Sequence, residues 1–467
     1  MKKMFDNPHL AKCLSAVVVA AILLYARPTN AQTANDTVRL LLDLPLLDLP
    51  YQSYASRTEG NFLAGYGSPS MKQSLQMTTN LYSAAHFGAK EAFKGMNSPL
   101  LRAILTYGTA TLFDLLSLQA PLGNAWLHEE YHRAVLTRRE VKSANEVNRF
   151  PIGQEVIRVY RIADADLERM HDNHRNDWLR LQVAGKEGEL HLLQTLQRND
   201  FFYSQKMPHI PLYWLITFAT GEYVRSCAKD DFNRIVNEMN DKEGRDILAR
   251  DFTGPDYTAW AYALFRPEQR YKARGVHPSG VGINRYIKPA DLTEEELDYI
   301  RKQGRLQWLN FLSPTLFGFS KICLKKSPKG NHYGNFAVRS VLTPFGNDVS
   351  VEAWYQSPGY NLFLVLHNYL NRDGFLTGLE MGMVDQPVFK GKLALSPRLM
   401  MWRQPENLSF TTTEGQLGGL LGLKARANLG RFNPYFEIEG KTAGWVMGNV
   451  FLEENVSVNA GVNVLFR

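Results

Sequence analysis

The chain has 467 residues, 45% of them hydrophobic and 21% charged, enough for two domains or one large one. Its formal charge of +7 is dispersed among acidic residues, with no basic stripe interleaved with aromatics, so nucleic acid is not an expected partner. Three cysteines cannot make a disulfide-built scaffold, although Cys227 and Cys323 could form one bridge in an oxidising compartment.

In chain order, residues 1–31 read as an export signal. Lys2 and Lys3 precede an apolar run from Leu14 to Tyr25, and Thr29-Asn30-Ala31 has the small-x-small form of a cleavage site. Residues 32–70 are expected to form an extended N-terminal arm, because Pro45 and Pro50 exclude a long helix there.

Residues 71–325 read as a mainly helical domain. Ser98 and Pro99 supply a cap and a first-turn proline for an apolar run from Leu100 to Ala120, which Pro121 ends and which is expected to be a buried central helix. A second apolar helix is expected over Ile210 to Thr220, and a third from Asp291, where Glu294 completes a capping box. The turns Gly254-Pro255-Asp256 and Val276-His277-Pro278-Ser279-Gly280 between them could line a cleft.

One run in this region names a chemistry: His128-Glu129-Glu130-Tyr131-His132. Nothing from Trp126 to Arg139 breaks a helix, and residues four apart on a helix lie one turn above each other, so His128 and His132 can share a zinc ion. Glu129 beside them is placed to take a proton from metal-bound water. A catalytic zinc usually takes three protein ligands, and Glu187 is the choice for the third. It lies in Gly185-Lys186-Glu187-Gly188-Glu189-Leu190-His191, where the glycines allow a helix start and Glu187 and His191 are again four apart. Glu155, Glu189 and the pair His171 and His174 are the other candidates. Arg133, Tyr131 or His209 could stabilise an oxyanion, and Glu130 could pair with Arg133 or Arg138. The motif resembles that of zinc peptidases of the gluzincin and related groups; the resemblance covers His128, Glu129 and His132 and implies a zinc-bound water attacking a peptide carbonyl.

Residues 326–467 change periodicity. Eight segments, 333–343, 348–356, 359–370, 373–384, 389–403, 414–429, 432–443 and 454–467, are separated by hairpin signals such as Asn371-Arg372-Asp373-Gly374. In the last, Val456, Val458, Ala460, Val462, Val464 and Phe466 form an apolar face opposite Ser457, Asn459, Gly461 and Asn463. An even number of such strands resembles bacterial outer-membrane barrels, which commonly close near an aromatic residue, here Phe466. Tyr355, Tyr360, Tyr369, Trp402, Tyr435 and Trp445 would then suit the lipid interfaces, and a soluble barrel or sandwich is the alternative.

The expected fold is therefore α+β, a mainly helical domain followed by an eight-stranded antiparallel β-barrel in the outer membrane of a Gram-negative-type bacterium, with the periplasm as alternative location. The expected function is a membrane-associated zinc-dependent hydrolase, most simply a metallopeptidase, acting on a peptide or envelope substrate and held in the lipid bilayer by its barrel. The competing class is a non-enzymatic outer-membrane protein of transport, assembly or adhesion.

Overall fold

The structure is a computed structural model that describes residues 38–118, 120–149, 154–203, 207–328 and 330–466. The expected export signal lies outside these residues. Strand β1 (Leu40–Leu49) leads into helices α1 (Tyr51–Glu59), α2 (Met71–Ala92), α3 (Pro99–Ser117) and α4 (Asn124–Arg138), and then a ribbon of β2 (Ala144–Arg149) and β3 (Gln154–Tyr160). Helices α5 (Asp164–Asn173), α6 (Arg175–Phe202), α7 (Ile210–Ser226), α8 (Asp231–Glu243), α9 (Asp256–Phe265) and α10 (Glu294–Leu306) follow. The remaining strands are β4 (Ile322–Lys325), β5 (His332–Thr343), β6 (Gly346–Gln356), β7 (Asn361–Leu370), β8 (Phe375–Met383), β9 (Gln386–Val388), β10 (Leu393–Pro405), β11 (Gly415–Ala427), β12 (Phe432–Lys441) and β13 (Asn455–Phe466).

Each of the eight expected segments contains a strand of an antiparallel sheet, but the sheet is not an eight-stranded barrel. Among the described residues it has eleven strands in the order β1-β13-β12-β11-β10-β8-β7-β6-β5-β4, with β9 beside β10, and it is open: β1 and β4 lie at its two edges. The segment expected to be an extended arm is β1, paired from Leu40 opposite Phe466 to Leu49 opposite Val458. Pro45, which has no N–H to donate, is tolerated because this is an edge strand. The two edges are where a closing pair would have formed, so the expectation of a closed membrane barrel is overturned, and with it the outer-membrane placement and the bilayer partner drawn from it.

Four of the six aromatics assigned to lipid interfaces lie elsewhere, while Tyr360 is exposed and Tyr355 half-buried. Tyr369, Trp402, Tyr435 and Trp445 are each at most 4% exposed, packed inside the molecule. No helix among the described residues is long and apolar enough to cross a membrane.

Alternation along the strands specifies two faces without saying which one turns inward. In β13 the inward set is Ser457, Asn459 and Asn463, all buried, while Val456 is exposed. Lys424 and Arg426 of β11 likewise pair with Asp43 and Asp385 instead of reaching solvent. The sheet therefore turns polar side chains toward the helices, and leaves Leu364, Leu366, Met401, Leu421 and Phe436 exposed on its other face.

Helix α3 is inverted in the same sense. Ser98 caps it as expected, but its buried side carries Ala103, Thr106, Ala110, Thr111 and Asp114, while Leu100, Leu101, Ile104, Leu112, Leu115 and Leu116 are 37–62% exposed. Asp114 rather than leucine anchors the buried side, accepting from His86 of α2 at 2.7 Å. Helix α10 begins three residues later than expected, its capping box made by Thr293 and Glu296 rather than Asp291 and Glu294. Cys227 is buried, Cys323 is exposed, and both are free thiols, so the possible disulfide is absent.

The centre of the helical part is α6, whose Trp178, Leu181, Val183, Ala184, Leu192 and Leu193 belong to the main core cluster. Helix α4 packs directly against it.

Candidate metal centre

His128 and His132 stand on α4, where positions four apart point at the same neighbour, and that neighbour is α6. The approach is closer than ordinary side chains allow. A Cβ at Gly185 would lie 2.3 Å from Nε2 of His128, and one at Gly188 would lie 2.8 Å from the Tyr131 ring. The two glycines thus do not start a helix, as the sequence reading had it. They sit inside α6, where glycine costs about 0.5–1 kcal/mol relative to alanine, and they make room for the rings of α4.

The third member of the cluster is Asp256, in the first turn of α9 after the turn Gly254-Pro255. Its Oδ2 lies 3.3 Å from Nε2 of His128 and its Oδ1 lies 3.8 Å from Nε2 of His132. Ligand atoms held at about 2.0–2.1 Å around a tetrahedral zinc are separated by about 3.3–3.4 Å, a spacing that the His128 contact matches and the His132 contact exceeds by a few tenths of an ångström. The three ligand atoms lie within 4.8 Å of one another, and all three residues are at most 9% exposed. This buried cluster could coordinate a metal ion.

Each imidazole is oriented from behind. Nδ1 of His132 meets the carbonyl of Leu181 at 2.5 Å, and Nδ1 of His128 meets Oε1 of Glu189 at 2.8 Å. Glu189 is itself held by Lys186 at 2.7 Å. Such outer partners fix the tautomer and aim the opposite nitrogen at an ion. The fit to a cation is tested by His132: its Nε2 is buried and has no hydrogen-bond partner among the described residues. Tyr223 completes the surround, donating to Oδ2 of Asp256 at 3.1 Å and accepting from the Asp256 backbone N–H at 3.2 Å.

The electrostatics follow from this packing. Burial opposes charge on His128, but the Asp256 and Glu189 carboxylates outweigh it and hold the imidazole up at about 10. For His132 burial dominates and pushes it down to about 4. Burial raises Glu189 as well, yet Lys186 and His128 bring it to about 2. Glu129 is raised to about 8 by burial, with His128 opposing and Asp256 reinforcing. An ion at His128 Nε2 would replace a proton, so metal uptake here releases protons.

The other candidates are placed elsewhere. Glu187 pairs with Arg180 at 2.7 Å and accepts from the Gly448 N–H and the Trp445 indole, which ties the β12–β13 connection to α6. It is not brought to the histidine pair. Glu189 is close, as the partner of His128 and not as a member of the cluster. His171 is engaged by Asp172 and Arg175, His209 by Asp200 and Tyr213, and Tyr131 by His191. The side chain of Glu155 lies outside the described residues. Arg133 grips Glu130 with two bonds of 2.8 and 3.0 Å, so Glu130 has the arginine partner expected of it.

Asp256 and Tyr223 were missed. Asp256 lies 124 positions beyond His132, and its only sequence signal was the Gly-Pro turn read as a cleft-lining loop. Among families, characterised proteins and solved structures, no match to this chain is found. The resemblance to gluzincin peptidases is therefore not carried further: the acidic group that meets the histidines is an aspartate from a distant turn, and the outer-membrane half of the resemblance ends at an open sheet.

Proposed function

We propose that this chain is a metal-dependent hydrolase whose cation is zinc, held by His128, His132 and Asp256. One observation carries the reading: two imidazoles present Nε2 to the same carboxylate, at 3.3 and 3.8 Å, and one of those nitrogens is buried without a hydrogen-bond partner among the described residues. Two histidines and one carboxylate are a donor set suited to zinc, and three protein ligands leave a position open.

A zinc ion in this position would supply Lewis acidity and acidify a coordinated water. The chain's own contribution is Glu129, next in sequence to a ligand, 6% exposed, and without a side-chain hydrogen bond to any described residue. Its role is to accept the proton of the attacking water and return it to the leaving group. Tyr223 holds Asp256 in orientation, and Lys186 with Glu189 does the same for His128. The bond cleaved is an amide or an ester, and peptides are the first class to screen.

The test is Glu129→Gln. The proposal expects this variant to keep its zinc and to lose hydrolysis by at least about two orders of magnitude. Full hydrolysis by a zinc-loaded variant would remove Glu129 from the mechanism.

A second reading rests on the position of His128 between Glu189 and Asp256, an arrangement that also suits an imidazolium bridging two carboxylates. It makes the cluster a structural ion pair, and it expects no zinc in the purified chain.

A further inference from the structure

A cavity of about 380 Å³ lies on the other side of α6 from the metal centre, between that helix, α2 and the inward face of the sheet. Gly185 and Glu189 of α6 serve the histidines, whereas Gln194 and Arg198, nearly half a turn round the helix, line the cavity. None of His128, His132 and Asp256 lines it.

Most of its charged side chains are paired with one another. Arg398 bridges Glu380 at 3.0 Å and Glu439 at 3.2 Å, Lys424 holds Asp43 at 3.1 Å, Lys72 holds Glu437 at 2.5 Å, and His367 holds Asp348 at 2.8 Å. Arg198 and Arg339 share Glu352. Asp48, which burial raises to about 6, takes a hydrogen bond from Ser70 and lies in the field of Lys72. An ionic ligand that engages one of these groups would have to break a pair formed in low dielectric and leave a buried charge behind.

The neutral groups are in the opposite condition. Gln76 of α2, Asn199 of α6, Ser350 of β6, and Ser457, Asn459 and Asn463 of β13 all line the cavity, and none of their side chains hydrogen-bonds another described residue. Amides and hydroxyls both donate and accept, so this wall matches a ligand whose own groups do both. The volume is at the small end of ligand sites, which run from about 300 to 1,000 Å³. Phe363 and Phe451 add apolar surface of the kind the carbon face of a ring occupies.

We propose that this cavity is a binding site for a small neutral polyhydroxylated molecule, a mono- or disaccharide. The site is independent of the metal centre and stands or falls without it.

The experiment is saturation-transfer NMR with titration calorimetry on the full purified chain, using glucose, N-acetylglucosamine and maltose against glucose 6-phosphate and glucosamine. The expected result is binding of at least one neutral sugar, weakened tenfold or more by Asn459→Leu and by Gln76→Leu from the opposite wall, with zinc content unchanged. Gln76 is only partly buried, so its variant serves if Asn459→Leu fails to fold. No binding by any neutral sugar, tighter binding of the phosphorylated or amino sugar, or undiminished binding by the folded variants would each overturn the proposal.

Discussion

The Nδ1 of His132 donates to the carbonyl of Leu181 across 2.5 Å, and that bond decides which nitrogen of the ring is left for an ion. The remaining Nε2 is buried and unpartnered among the described residues, a condition that costs about 1–3 kcal/mol when nothing fills it. Zinc added to metal-free protein should therefore raise the midpoint of urea unfolding, since a ligand that binds only the folded state stabilises it. His132→Leu should show no such rise. An equal zinc-dependent rise in both proteins would place the ion elsewhere.

Gly185 is the position at which α6 admits the His128 ring. Alanine there brings a methyl group within 2.3 Å of Nε2, and backbone geometry leaves the methyl no freedom to turn aside. Gly185→Ala is expected to displace His128 and abolish stoichiometric zinc while the far-ultraviolet circular dichroism keeps its helical form. Unchanged zinc content in this variant would contradict the packing described.

Glu189→Gln keeps the shape of the side chain but removes the carboxylate that orients His128. Losses of about 10- to 100-fold in metal affinity are typical when such an outer partner is changed. A competition titration with a chelating dye measures this directly; an unchanged zinc dissociation constant would show that Glu189 is incidental to the site.

A separate pH effect belongs to His367. Burial opposes its charge, but Asp348 and Glu380 on either side outweigh burial and raise it from 6.5 to about 10. A group whose folded pKa is raised contributes stability that is fully present below its unfolded value and lost as pH rises through the folded one. The difference in unfolding free energy between the wild type and His367→Gln should therefore be largest at pH 6.5 and below and shrink toward pH 10. A difference that stays flat, or grows with pH, would remove the ion pair from the stability of the sheet.

Local patterns were legible in the sequence and long-range ones were not. The histidine pair is a relation between positions one helical turn apart, so it could be read from His128 and His132 alone. Asp256 reaches the same place through the tertiary fold, and no local periodicity connects it. Gly185 and Gly188 look locally like a helix start, and that hides the face on which Glu187 stands. Inside one continuous helix, Gly185 and Glu189 lie about 40° apart and face α4, while Glu187 is turned about 200° from Gly185, toward Arg180 and the β12–β13 connection.

The sheet divides in the same way. Each strand announces itself by alternation and its turn residues, and all eight expected segments contain strands of the sheet. Closure depends on which strands stand at the edges, and here Leu40–Leu49 and Ile322–Lys325 take those places. Which face is inward is also a global property: Asn459 and Val458 alternate equally well either way, and the paired charges on the helix side decide it.

The most direct test of the central claim is elemental metal analysis of the purified full-length chain together with Asp256→Ala, prepared side by side without chelator. Close to one zinc per chain, lost in the variant, is the result expected of a centre built from His128, His132 and Asp256. Absence of metal from the wild type even after incubation with zinc, or an equal zinc content in both proteins, would contradict it.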